Sequence, residues 1–259
     1  MNISHAMASR EEIEKWKRQL LVSRYPVISM GGTYFPVRRG FVSKEVIYMM
    51  VGIRGDGRRE NLAYEIGGEG ESARVWKELL RQIKERGVEE VEIIVGDGLV
   101  GLKDRVKVRD RSEIVKDLKE IYKASSVEEA REKLKRFADR WGKRYLGVVR
   151  WWEERAYELL AFMEFSKEIR SMIYTTNSIE RLFKELKRRL KAMEVLQGEE
   201  SADKVVYVIL RELNERYMLR KLRGFEVAME RYYENKRTFA SNVSVSEETQ
   251  FTRYDPVFY

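Results

Sequence analysis

The stretch TTNSIERLFKELKRR, residues 175–189, decides the reading of this chain. Ile179, Leu182, Phe183, Leu186 and Leu190 recur with the spacing of one apolar helix face. Asn177 is a good N-cap for that helix. Glu180 stands one turn in and shares a side with Lys184, Lys187, Arg188 and Lys191. A carboxylate at the head of a basic row can hold a metal ion beside a bound phosphodiester. It can equally close a capping box by accepting from the backbone N–H of Asn177. The helix taken alone favours the cap.

The totals narrow the classes of function. The chain has 259 residues with 43% hydrophobic side chains, enough to bury a core. Lys and Arg outnumber Asp and Glu by 51 to 43, a net charge of +8. That surplus favours a polyanionic partner, with nucleic acid first, although a charge-rich surface also suits a heat-adapted protein. Cysteine is absent, and the one histidine, His5, lies near the N-terminus. Disulfides, thiolate metal sites, histidine-based triads and multi-histidine sites are therefore excluded. Any metal must be held by oxygen, which selects Mg2+ or Mn2+. No signal peptide and no apolar run long enough to cross a bilayer is found, so a soluble, cytoplasmic protein without a membrane partner is expected.

Outward from the organising helix, the N-terminal third reads as β. A charged helix, Ser9–Leu21, opens at a Ser9/Glu12 cap, with Ile13 and Trp16 on its apolar side. Strands follow at Pro26–Arg38, Glu45–Arg54 and Arg58–Ile66, the last two joined by the turn Gly55-Asp56-Gly57. Gly31 and Gly32 interrupt the first strand, which suggests a bulge or a close approach. An amphipathic helix, Ser72–Arg86, stops at Gly87. A short apolar strand of the buried kind, Val91–Val95, then ends in Gly96-Asp97-Gly98. Strand, crossover helix and strand imply a parallel pair. An acid just past the carboxyl end of such a strand sits where open α/β sheets place their sites. Helices are expected at 112–124, 126–141, 147–162, 178–195 and 200–220, with Trp141, Trp151 and Trp152 packing them. A short helix follows Gly224, and residues 236–259 read as a mobile tail.

Several segments together resemble the mutator-type insertion-sequence transposases. They are VISMGGTYFPVRRG, VGIRGDGRRENLAYEIG, VEEVEIIVGDGLVGL, FADRWGKRY and, above all, IYTTNSIERLFKELKRR. The likeness runs from about Ser9 to about Phe225. It implies a ribonuclease H-like α/β fold: an antiparallel three-strand meander plus a parallel fourth strand, a large all-α insertion, and a helical C-terminal part. The implied division is residues 1–24 for a remnant N-terminal helical region and 25–111 for the sheet with its first helix. The helical insertion takes 112–173, the helix bearing the last acid and the C-terminal helices take 174–235, and the tail takes 236–259.

The resemblance also implies a chemistry. In the family an Asp-Asp-Glu set binds two divalent ions, which activate a water or a DNA 3′-hydroxyl and stabilise the leaving oxygen. By motif the second Asp is Asp97 and the Glu is Glu180, which shifts Glu180 from cap toward catalytic metal ligand. Arg181, Lys184, Lys187, Arg188 and Lys191 would then hold DNA. Gly31 stands where the first Asp belongs. Asp56 would lie at the far end of the sheet, and Asp104 has little claim as a substitute. After Leu102 the chain reaches the insertion helices within about ten residues, so some two dozen residues, an edge strand among them, are expected to be missing. The fourth strand would then expose its flank unless another element covers it. Most of the region that carries end-specific DNA-binding helices in the family is also missing from this sequence. The expected protein is thus a transposase copy impaired at strand transfer, with Mg2+ or Mn2+ if active. Its partners would be DNA and either itself or a full-length transposase. A non-enzymatic DNA-binding derivative or a relic is the alternative.

Overall fold

The computed structural model describes residues 8–67, 73–96, 105–167, 169–170, 177–191 and 195–243. The chain forms two compact units, one of residues 1–96 with 175–259 and one of 97–174.

The larger unit is built on a mixed sheet. Strands β1 (Arg24–Arg39), β2 (Phe41–Ile53) and β3 (Arg59–Ile66) form the antiparallel meander, and β4 (Glu90–Val95) pairs parallel with β1. The order is β3-β2-β1-β4. The expected turn between β2 and β3 is present: Gly57 has φ 81°, a conformation that suits glycine. Arg58 N–H donates to Asp56 Oδ1 at 3.0 Å within it. Residues 45–53 of β2 are all buried because both faces of the sheet are covered. On one face Ile28, Met30, Tyr48, Met50 and Leu62 meet Trp76, Leu79 and Ile83 of α2 (Ala73–Glu85). On the other face Phe35, Val37, Met49, Val51 and Tyr64 meet two helices, α6 (Asn177–Leu190) and α7 (Gly198–Met218).

Helix α1 (Arg10–Arg18) carries the predicted capping box, with Glu12 N–H donating to Ser9 Oγ at 3.1 Å and Ser9 N–H to Glu12 Oε2 at 2.7 Å. Ile13 is buried and Trp16 packs on Tyr64, ring centroids 5.7 Å apart. A polar link crosses the same layer. The Tyr64 hydroxyl donates to Asp203 Oδ1 at 2.6 Å, and Lys17 reaches the same carboxylate at 3.3 Å. Burial first, and Asp203 next, push the Tyr64 pKa upward.

Two expectations change. β4 is half-buried along Val91–Val95 rather than fully buried, because it is the last strand on its side of the sheet among the described residues. Its flank is guarded from the C-terminal helix α8 (Phe225–Val243). Lys236 Nζ donates to Glu92 Oε2 at 2.8 Å and Tyr232 donates to the same oxygen at 3.4 Å. Arg24, at the start of β1, lies 5.0 Å from the Tyr233 ring centroid. Residues 236–243, expected as mobile tail, are therefore helical, because their helix is anchored on the edge strand. A two-residue strand, β5 (Leu196–Gln197), pairs parallel with β1 at Val37 and Arg38, away from β4.

The smaller unit is helical in its described residues. Helices α3 (Val108–Tyr122) and α4 (Val127–Glu154) pack together, followed by α5 (Ala156–Leu160) and a 3-10 turn at Ala161–Glu164. The expected break near residues 141–147 is a kink inside α4, with Tyr145 at φ −135° and ψ 47°. Partners from α3 bridge it: Trp141 Nε1 donates to Asp117 at 2.8 Å and the Tyr145 hydroxyl to Asp110 at 2.6 Å. Trp141 and Trp152 are buried, as their spacing suggested.

Candidate active site

β1 and α6 meet at the point where the sequence breaks its own pattern. The side chains of α6 that face the sheet are Ile179, Leu182, Leu186 and Leu190, all buried, with Phe183 partly buried beside them. That is the apolar stripe read from the sequence. Acid in the first turn (Glu180) and bases in the last (Lys187, Arg188, Arg189) complement the helix dipole.

Gly31 lies directly beneath this helix. A Cβ at Gly31 would stand 3.0 Å from Phe183 Cε2, 3.1 Å from Phe183 Cζ and 3.1 Å from Ile179 Cγ1. The glycine is thus a close approach, not a bulge: β1 pairs with β2 without interruption from Val27 to Arg39. Two residues on, Thr33 is buried with its hydroxyl lacking a hydrogen-bond partner among the described residues. β4 runs parallel to β1 and its last residue, Val95, pairs with Ser29, two residues before Gly31. Asp97 follows Gly96 and lies outside the described residues, as do Asp104 and the cap of α6.

Glu180 is exposed, on the turn of α6 whose neighbours Ile179 and Phe183 cover Gly31. Arg181, Lys184, Lys187, Arg188 and Lys191 are exposed along the same helix. Arg188 pairs with Glu185 at 2.8 Å, which lowers the Glu185 pKa and raises that of Arg188. Arg181, Lys184, Lys187 and Lys191 have no ion pair among the described residues. Asp56 is accounted for otherwise: it pairs with Arg58, in a turn at the Arg24 end of β1, whereas β4 runs away from that end.

Comparison with known proteins fixes the ancestry. The sequence profile of the mutator family of transposases matches residues 2–109 and 103–219. The chain belongs to that family. It is 32% identical over 248 residues to a transposase for insertion sequence element IS905 of Lactococcus lactis, covering 86% of this chain and 62% of that protein. It is 30% identical over 226 residues to a transposase for IS1201 of Lactobacillus helveticus, covering 78% of this chain and 60% of that one. A transposase for ISRM3 of Rhizobium meliloti is 27% identical over 233 residues, covering 80% and 58%. The chain therefore spans about three fifths of the length of these mutator-family relatives.

A metal pair on three carboxylates would find no ligand side chain at Gly31. Among the described residues no group of three or more Asp, Glu, His or Cys could hold an ion. The resemblance sets the first of the three positions at Gly31, and the space a side chain would need there is taken by a phenyl ring and an isoleucine. The sequence shows the glycine at position 31 but not what covers it. Phe183 counted as one more apolar residue of the helix, and only the crossing of α6 over β1 gives it this second role. The sequence also gave no sign of Arg59, which stacks on Tyr217 with 4.6 Å from its guanidinium carbon to the ring centroid.

Proposed function

We propose that this mutator-family chain is a DDE-type transposase copy on a ribonuclease H-like scaffold, able to engage DNA but poor at cutting and joining it. The observation that carries this reading is the filled space over Gly31. Asp97, past the end of β4, and Glu180, on the helix that covers Gly31, are its two remaining acidic candidates. Two carboxylates can hold one Mg2+ weakly, the ion keeping several waters. Two-ion phosphoryl transfer needs ligands from several elements at once, and the central strand contributes none here. The register of β4 supports the grouping, since that strand ends two residues short of Gly31 along β1. The family profile matches in two segments that meet at residues 103–109. That is where the sequence places the shortened region.

Strand cleavage and joining with Mn2+ on DNA carrying the element's ends is the test. Weak nicking or none is expected. Robust joining by the purified chain would overturn the reading.

The second reading is a DNA-binding derivative without catalysis, which binds as a homodimer or with a full-length transposase. The row Arg181, Lys184, Lys187 and Lys191, which makes no ion pair among the described residues, favours it, since such exposed cations suit a phosphate backbone. A size measurement on the DNA complex, with and without a catalytically complete relative, tests the association. A complex of one chain per DNA in both cases argues against it.

A further inference from the structure

Strands β1 and β2 run on together past the rest of the sheet. β3 pairs with β2 only as far as Ile47, and β4 pairs with β1 only as far as Ser29. Beyond those points residues 34–39 and 41–46 form a two-stranded ribbon, paired from Tyr34 with Val46 to Arg39 with Phe41. One face of the ribbon is packed. Phe35 and Val37 join Leu196 in the core under α6 and α7, and β5 pairs with β1 at Val37 and Arg38. Alternation sends the intervening residues to the other face. There Tyr34 stands opposite Val46, Pro36 opposite Lys44 and Arg38 opposite Val42. Trp76 of α2 shares a cluster with Tyr48 and Val46 on this face, and the cover ends there. Tyr34 is 50% and Val42 47% exposed, and Arg38 and Lys44 are exposed.

This open face is basic as well as apolar. Residues 34–44 carry three cations and no Asp or Glu. Arg38 and Lys44 make no ion pair among the described residues. Glu45 is buried on the packed face, opposite Phe35. Glu65 of β3, paired with Tyr48, is partly buried and has Lys17, Asp203 and Glu199 as its charged neighbours. By the register Lys44 is the diagonal neighbour of both Tyr34 and Arg38, a separation of about 7–8 Å in antiparallel strands. A half-exposed ring beside two cations suits a nucleic-acid strand whose bases are unstacked, because the ring can take a base while the cations take phosphates. A duplex keeps its base faces inside its own stack. A second copy of this chain suits the face poorly, since Arg38 and Lys44 would meet like charges.

We propose that the open face of the β1–β2 ribbon binds a single-stranded stretch of DNA, with Tyr34 stacked on a base and Arg38 and Lys44 on phosphates. The proposal rests on the reading of the chain as a DNA-acting protein and adds where an unpaired strand lies. Tyr34 is three residues past Gly31 on β1, about 10 Å along the strand. The ribbon also extends beyond the carboxyl end of β4, from which the chain continues to Asp97. A strand held there is therefore at the end of the sheet that carries the two acidic candidates' strand and helix. The packed face keeps the ribbon in place, so the ring and the two cations are presented together.

Binding of the full chain to labelled oligothymidylate, to an abasic strand of equal length and to a duplex tests this. The variants are Tyr34→Ala, Tyr34→Phe, Lys44→Gln and, as control, Arg136→Gln, an exposed cation of the smaller unit paired with Glu132. The parent should prefer oligothymidylate to the abasic strand. Tyr34→Ala should weaken oligothymidylate binding by roughly 5- to 150-fold, the worth of one stacked base, and leave the abasic strand and the duplex unchanged. Tyr34→Phe should keep the parent's affinity. Lys44→Gln should lower the salt slope on oligothymidylate by about 0.7, and Arg136→Gln should not. Equal parent affinity for thymidylate and abasic strands, with a steep salt slope, overturns the site and leaves the DNA reading standing. A flat slope on every probe overturns both. Equal losses of Tyr34→Ala on thymidylate and abasic strands would assign Tyr34 to the fold and overturn the proposal. Self-association lost in Tyr34→Ala with thymidylate binding intact would assign the face to a second copy and overturn it too. Exposed Lys44 keeps the test available should Tyr34→Ala fail to fold, as judged by circular dichroism, and an unchanged Lys44→Gln slope then overturns the site.

Discussion

Placing an aspartate at position 31 should harm this protein before it helps it. Ordinary carbon–carbon contacts lie at about 3.5–4.0 Å, whereas a Cβ at Gly31 would meet Phe183 and Ile179 at 3.0–3.1 Å. Overpacking of this kind costs about 1–3 kcal/mol. Replacing a strand glycine returns about 0.5–1 kcal/mol through lost chain entropy, when alanine is the newcomer. Aspartate gains less, being a poor strand former, and its carboxylate would lose water against a phenyl ring for a further ~1–3 kcal/mol. The net expectation for Gly31→Asp is a loss of roughly 2–4 kcal/mol. At about 2–4 °C per kcal/mol for a chain of this size, the melting temperature should fall by roughly 5–15 °C. Urea unfolding of the parent, Gly31→Asp, Phe183→Ala and the double variant measures it. Phe183→Ala removes the ring that clashes, so the double variant should be more stable than the sum of single losses by about 1–3 kcal/mol. Gly31→Asp as stable as the parent, or strictly additive losses, would refute the packing account. DNA cleavage by the single variant should stay low even where it folds.

Other expectations concern separate parts of the molecule. Exchanging Lys184, Lys187 and Lys191 for Gln should lower the salt slope of DNA binding by about 2.7 without lowering the unfolding midpoint, and an unchanged slope would remove the row from the interface. Tyr64→Phe leaves the buried side of Asp203 short of a donor and should cost about 1–3 kcal/mol in urea unfolding; a neutral result would make the Lys17–Asp203–Tyr64 link ornamental. The Glu129 carboxylate, near the start of α4, is held down to about 2 by Lys133 first and then by the Ser125 side chain and backbone. Its folded value lies below the unfolded one, so its contribution is present above pH 4.5 and disappears as pH falls toward 2. Glu129→Gln should flatten acid-induced loss of helical circular dichroism in that window, and an unchanged profile would count against the cap. Glu92→Gln should speed hydrogen exchange in α8, since Lys236 and Tyr232 both converge on that carboxylate.

Much of the architecture was legible because it follows from periodicity and turn chemistry, which act over a few residues. The stripe Ile179, Leu182, Leu186, Leu190 gave α6, the Ser9 and Glu12 pair gave the start of α1, and Gly55-Asp56-Gly57 gave the β2–β3 turn. The parallel pairing of β1 with β4 followed from handedness and the intervening helix. Boundaries drifted where local signals compete. The break expected at residues 141–147 is present as the kink at Tyr145, while the hydrogen bonds from Trp141 and Tyr145 to Asp117 and Asp110 of a neighbouring helix were not readable. The edge position of β4 was readable as a risk, while its guard was not, since Glu92 and Lys236 stand far apart in the chain.

The sequence alone determined the helix stripe, the meander, the charge surplus and the glycine at position 31 inside a strand, because each is a property of neighbours or of totals. Tertiary structure alone decided what that glycine means. Two segments some 150 residues apart must cross before Phe183 can fill the space over Gly31. Local spacing sets which face a residue occupies. The packing of faces against one another sets which residues share a site, and that depends on long-range contacts that no short window of sequence contains.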